Sequence, residues 1–122
     1  MQHRRERLND LLRGFLGQEL RTLRDPRLEL VTVTGVETSA DYRFAKVYWS
    51  TAVQRSESGE VALPSEEHIR EVQSALHGAE GLLKKRIAAE LELRYTPALQ
   101  FHYDMSGRTG SRIDELLKKA GF

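Results

Sequence analysis

Cysteine is absent from this chain, which removes disulfides, thiolate metal sites and a cysteine nucleophile. Proline occurs only three times and tryptophan once. No apolar run approaches the roughly 20 residues that a membrane-spanning helix needs. The opening residues, Met1-Gln2-His3-Arg4-Arg5, lead into no secretory apolar segment, so a cytoplasmic location is the expectation. The four histidines, His3, His68, His77 and His102, show neither HxxxH nor HxH spacing. No nucleophile elbow, Walker loop or zincin motif occurs either. Serine, aspartate and glutamate are plentiful, but none stands in a catalytic motif, and no cofactor or metal is expected.

What is present is a single-domain length of 122 residues, 39% hydrophobic and 30% charged. The formal net charge is only +1, but it is unevenly spread. Residues 1–27 carry seven arginines against Glu6, Asp10, Glu19 and Asp25, a local +3. Residues 28–78 carry eight acids against Arg43, Lys46, Arg55 and Arg70, a local −4. Such asymmetry orients a molecule on a charged partner, with its basic ends toward phosphate. An ordinary solvated surface would look the same from charge alone.

Leu8, Leu11, Leu12, Phe15, Leu16, Leu20 and Leu23 recur at helical spacing and predict a helix from about Arg4 to Leu23. Glu19 projects onto its apolar face and needs a partner, and Pro26 forces Asp25 out of helical geometry. Two strands, about Leu30–Thr38 and Phe44–Thr51, then form an antiparallel hairpin around residues 39–42. Residues 52–63 are polar and are expected to form a mobile loop. Ser65 is a good N-cap for a helix carrying Ile69, Val72, Leu76 and Ala79. The pattern breaks at Gly78-Ala79-Glu80-Gly81, and Leu83, Ile87 and Leu91 form a second stripe, which predicts two helices meeting at a kink. Leu99, Phe101 and Tyr103 alternate as a third strand after Pro97. A turn at 106–110 and a short helix from Ser111 to Lys119 complete an α-β-β-α-α-β order with a tail helix.

Gly78-x-x-Gly81 matches the loop by which KH domains hold a nucleic-acid backbone, because glycine lets N–H groups approach phosphate. A structural kink is the competing reading, and a carboxylate at Glu80 would repel a clamped phosphate. Lys84, Lys85 and Arg86 follow, and with Arg94 they form a basic patch suited to phosphate contacts. Trp49, Phe101 and Tyr103 are expected in the core by strand alternation, not as stacking platforms.

Taken together, several stretches resemble the bacterial ribosome-binding factor A family over nearly the whole chain. They are Arg4-x-x-Arg7-Leu8, Asp25-Pro26-Arg27-Leu28, Val31-Thr32-Val33-Thr34-Gly35-Val36-Glu37 and Ala45-Lys46-Val47-Tyr48, followed by Ala79-Glu80-Gly81-Leu82, Leu93-Arg94 and Phe101-x-x-Asp104. The resemblance implies an α+β, type II KH-like domain with a three-stranded sheet and helices on one face. It also implies an Ala-x-Gly break at Ala79–Gly81, so that Gly78 looks incidental. The expected division is residues 1–106 as the KH-like ribosome-binding domain and 107–122 as a short tail helix. The family implies a non-enzymatic, monomeric assembly factor that binds the free small (30S) ribosomal subunit and its rRNA, supports processing of the rRNA 5′ end and aids growth in the cold. Arg4, Arg7, Arg27, Ala79, Gly81, Lys84, Lys85 and Arg94 are the expected contacts, with Arg4, Arg7 and Arg27 grouped at one end of the domain. Ala98 stands where the family usually has an acid after its proline, and the long charged C-terminal extension of some members is lacking. A general KH-like RNA-binding protein without ribosome specificity, or a protein-interaction module using the acidic middle, are the alternatives.

Overall fold

Leu12, Leu16 and Leu20 recur every four residues and are buried to 2% exposure or less. That stripe nucleates the first helix where its spacing predicts one. A computed structural model, describing residues 2–52 and 64–105, gives the rest of the architecture. Its elements are α1 (Gln2–Thr22), a 3-10 turn (Pro26–Leu28), β1 (Val31–Thr38), β2 (Phe44–Thr51), α2 (Glu66–Glu90) and β3 (Ala98–Tyr103). The segment 53–63, the turn at 106–110, the expected tail helix and the boundary at 106/107 lie outside the described residues.

The sheet order is β1-β2-β3. β1 and β2 are antiparallel, as the short turn between them requires, whereas β2 and β3 are parallel. Parallel neighbours need a long crossover, and α2 lies within it. Both helices cover one face of the sheet, where Val33, Val36, Ala45, Val47, Trp49, Leu99 and Phe101 meet Leu12, Leu16, Leu20, Val72, Leu76, Leu83 and Ile87. The three strands and helical coverage agree with the expected α+β, KH-like class.

Two local features depart from expectation. First, α2 is one continuous helix of 25 residues through Gly78–Gly81, where two helices were expected. The buried positions explain this. Val72, Leu76, Leu83 and Ile87 follow one another at spacings of four, seven and four, so the two stripes share a single phase and bury together. That shared burial outweighs the roughly 1 kcal/mol that each glycine costs relative to alanine. Ser65 caps the helix as expected, its hydroxyl accepting from the His68 N–H at 3.1 Å. Second, β1 contains a bulge between Val33 and Gly35. Inward residues therefore shift from Val33 to Val36 and Thr38, a change of phase that strict alternation does not anticipate.

The outer edges of the sheet are partly closed by helix side chains. On β1, the Thr38 N–H donates to Asn9 Oδ1 at 2.9 Å. On β3, the Leu99 N–H donates to Glu80 Oε1 at 3.2 Å, and Gln73 Nε2 donates to the Phe101 carbonyl at 2.7 Å. Open edges invite pairing with other chains, and these contacts blunt both of them.

Candidate nucleic-acid interface

The edge contacts decide how Glu80 is read. Its carboxylate turns toward β3 and accepts a backbone N–H, so it neither occupies a phosphate clamp nor repels a ligand from one. Glu80→Ala is expected to cost about 1–2 kcal/mol, because a partly buried donor loses its acceptor. A urea melt that does not shift would remove this edge contact from the account.

Arg86 is likewise taken up inside the fold. Its Nη1 donates to Glu19 Oε2 at 2.7 Å and to Thr22 Oγ1 at 2.8 Å. Glu19, which the sequence left on an apolar face in need of a partner, thereby joins α1 to α2. This ion pair removes Arg86 from the basic patch expected around 84–86.

Asp25 caps the 3-10 turn by accepting from the Arg27 N–H at 2.9 Å. It also binds the Arg27 side chain through two bonds, Nε to Oδ1 at 3.0 Å and Nη2 to Oδ2 at 2.8 Å. The side-chain hydrogen bond from Arg27 holds the Asp25 carboxyl below its ordinary value, and the same bond pushes Arg27 further up. A lowered carboxyl pKa favours the fold above the unfolded value of 3.8, an advantage lost as pH falls through the lowered value. Arg27 is thus oriented by Asp25, with its side chain half exposed.

The expected contact residues separate into groups. Arg27 and Ala79 line one groove of about 450 Å³, together with Leu23, Arg24, Asp25, Leu28, Ser74, Ala75 and Gly78. Arg4 and Arg94 line another, of about 510 Å³. Arg7 is exposed on α1 near Arg4. Arg4 lies in the first turn of α1 and Arg27 in the 3-10 turn beyond its far end, and the helix between Arg4 and Thr22 spans about 27 Å at about 1.5 Å per residue. They therefore do not share one end of the domain as expected; each has a different neighbourhood. Lys84 is half-buried on the flank of α2 that also carries Glu80 and Gln73, whereas Lys85 is exposed on the side away from the core.

Along that solvent side the structure assembles what spacing alone did not single out. Ser74, Gly78, Gly81 and Lys85 are all exposed and fall on one line down α2, opposite the buried stripe. A Cβ at Gly78 or Gly81 would meet nothing within 4 Å. Neither glycine serves internal packing, and each weakens the helix. Their effect is external: a low, side-chain-free strip bordered by Arg24 and Arg27 on the groove wall and ending at Lys85. Arg24 lines the same groove, although in the sequence it stands out only as one arginine among seven.

Trp49 and Phe101 are buried, as alternation predicts, and the half-buried Tyr103 ring packs edge-on against Trp49 at 5.1 Å. On the other face of the sheet the half-buried Tyr48 lies between Gly35 and His102, its ring 5.9 Å from the imidazole. Among the described residues no helix is long and apolar enough to cross a membrane, and no group of three or more His, Cys, Asp or Glu could hold a metal ion.

The profile of ribosome-binding factor A matches residues 4–117. The chain belongs to the ribosome-binding factor A family. A curated relative from Geobacter metallireducens is 35% identical over 116 residues, covering 95% of this chain and 86% of its own. The crystal structure of ribosome-binding factor A from Thermus thermophilus superposes with a TM-score of 0.63 at 30% identity, covering 81% of this chain and 94% of that one. The chain is also similar to a homology model of the Thermus thermophilus ribosome binding factor A, fitted into the cryo-EM map of a 30S–RbfA complex. It is 28% identical with a TM-score of 0.59, covering 82% of this chain and 94% of that one. The solved family structures thus support the α+β arrangement described above.

Proposed function

We propose that this chain is a monomeric, non-enzymatic assembly factor of the cytoplasm. In this reading it binds the free small ribosomal subunit and its rRNA and supports maturation of the rRNA 5′ end. The observation that carries the reading is the pair of exposed glycines in the middle of α2, with no packing partner for a Cβ at either, of which Gly78 lines a groove with Arg24 and Arg27. An rRNA backbone can lie along Gly78 and Gly81 without meeting a side chain, while Arg24 and Lys85 neutralise phosphates beside it. Arg27, held by Asp25, presents its remaining donors at the groove. The relative fitted to a 30S complex supports the choice of partner. Binding one rRNA conformation better than the mature one would hold the subunit in an immature form by mass action.

Sucrose-gradient fractionation tests this directly. The protein is expected with free and immature small subunits, and an equal mass of unrelated single-stranded RNA should not displace it. Absence from those fractions would remove the ribosomal assignment. Displacement by unrelated RNA would leave a general RNA-binding protein in its place.

A further inference from the structure

We infer that the second groove, between the start of α1 and the α2–β3 connection, is a subsite for one unpaired nucleotide of the bound RNA, with guanine preferred. The inference rests on the rRNA reading above and adds a second, separate contact to it. The groove holds about 510 Å³ and is lined by Arg4, Leu8, Tyr42, Glu92, Leu93, Arg94 and Tyr95. That volume lies within the roughly 300–1,000 Å³ of small-molecule sites.

Three features fit a nucleotide. The first is an available aromatic surface. Tyr95 is 59% exposed, and the Arg94 guanidinium sits 5.5 Å from its ring centroid. Such a ring offers a base a stacking surface beside a cation. The second is unspent charge. Among the described residues Arg4, Glu92 and Arg94 form no ion pair, with one another or with any other side chain. Two arginines can meet a phosphate. A carboxylate can accept the adjacent N1–H and amino hydrogens of guanine, whereas adenine sets a ring-nitrogen lone pair beside its amino group.

The third feature is the backbone of Tyr42, which has φ of 62°. This left-handed conformation disfavours a side chain, costing on the order of 1–2 kcal/mol where glycine or asparagine would be accepted. The turn holds it there firmly. The Tyr42 N–H donates to the Ser39 carbonyl at 2.9 Å, and Asp41 Oδ1 accepts from Ser39 Oγ at 2.7 Å and from the Arg43 N–H at 3.1 Å. The half-buried Tyr42, kept in this unfavourable conformation, lines the same groove as the exposed Tyr95, so two aromatic side chains are available there to a planar base.

The test is a titration of the full chain with 5′-GMP, 5′-AMP and inorganic phosphate, read from the NMR signals of the tyrosine rings. It is paired with small-subunit binding by Tyr95→Ala, Tyr95→Phe and Tyr42→Asn. GMP should move the Tyr42 and Tyr95 rings at lower concentration than AMP, and phosphate should leave them in place. Tyr95→Ala should weaken both GMP and subunit binding roughly tenfold, as expected for one lost stacking contact, and Tyr95→Phe should restore them. Tyr42→Asn should lose binding while its melting temperature stays within a few degrees of the parent, since backbone relief offsets lost packing. Unmoved rings together with full subunit binding by Tyr95→Ala would overturn the subsite and leave the ribosomal reading standing. Unmoved rings with subunit binding lost would identify a protein surface as the occupant and also overturn the nucleotide assignment. Moved rings in a protein absent from small subunits would support the nucleotide site while removing the proposed function.

Discussion

Trp49→Ala is expected to destabilise the domain by about 3–5 kcal/mol, much of the roughly 5–15 kcal/mol that typically separates folded from unfolded states. Trp49 is fully buried on the central strand, registered against Val33 on one side and Tyr103 on the other. Its indole N–H donates to Gln73 Oε1 at 2.9 Å, and Gln73 Nε2 in turn donates to the Phe101 carbonyl at 2.7 Å. Alanine would therefore do two things at once. It would empty the space between the sheet and α2, and it would strand the side-chain oxygen that orients Gln73 along the β3 edge. Trp49→Phe separates these effects. It keeps much of the volume but removes the donor, so it should cost about 1–3 kcal/mol. Urea melts followed by far-UV circular dichroism check both values. A loss below about 1 kcal/mol for the alanine variant would mean that Trp49 does not tie α2 to the sheet.

Arg24→Gln combined with Lys85→Gln is expected to weaken small-subunit binding roughly 50-fold at 0.1 M salt while leaving the fold intact. Each phosphate contact contributes a slope of about 0.9 in log affinity against log salt concentration. Two lost contacts should therefore flatten that slope by about 1.8. Both side chains are exposed, so their removal leaves the core as it was. Measuring affinity at several salt concentrations distinguishes phosphate contacts from any sequence-dependent contact, which would shift the line without changing its slope. An unchanged slope would exclude the α2 strip as the backbone contact. Lys84→Gln is the useful comparison: Lys84 lies on the β3 flank of the helix, and its substitution should change the slope less.

Sequence patterning carried much of the architecture. The leucines of α1, the alternation through Ala45, Val47 and Trp49, and the Ser65 cap each place an element within a residue or two of its observed position. The Gly78–Gly81 stretch shows the limit of the same approach. Local propensity indicates a break there, whereas the buried residues on either side are in phase and hold the helix together. The β1 bulge was hidden for a related reason, because a single inserted residue becomes visible only once the partner strand sets the register.

The expected contact residues stand out in the sequence, and the structure distributes them over more than one groove. Arg27, Ala79 and Gly81 were identified from the Asp-Pro-Arg corner and the Ala-x-Gly step, and Arg27 and Ala79 do line one groove. Arg4 and Arg94 were identified too, but they line a different groove alongside Tyr42, Glu92 and Tyr95. Nothing in one dimension signals that Tyr95 is exposed or that Tyr42 has a positive φ. Glu80 and Arg86 look like surface charges in the sequence, yet each has a partner distant in the chain, Leu99 and Glu19 respectively.

By itself the sequence determined the family, the three strands and the faces that must be buried, because side-chain hydrophobicity and backbone restrictions act over a few neighbouring residues. Only the tertiary structure decided which charges remain available to a partner. Ion pairs and hydrogen bonds form between groups brought together by packing, so an arginine tied to a distant carboxylate and one facing solvent are indistinguishable until the chain has folded.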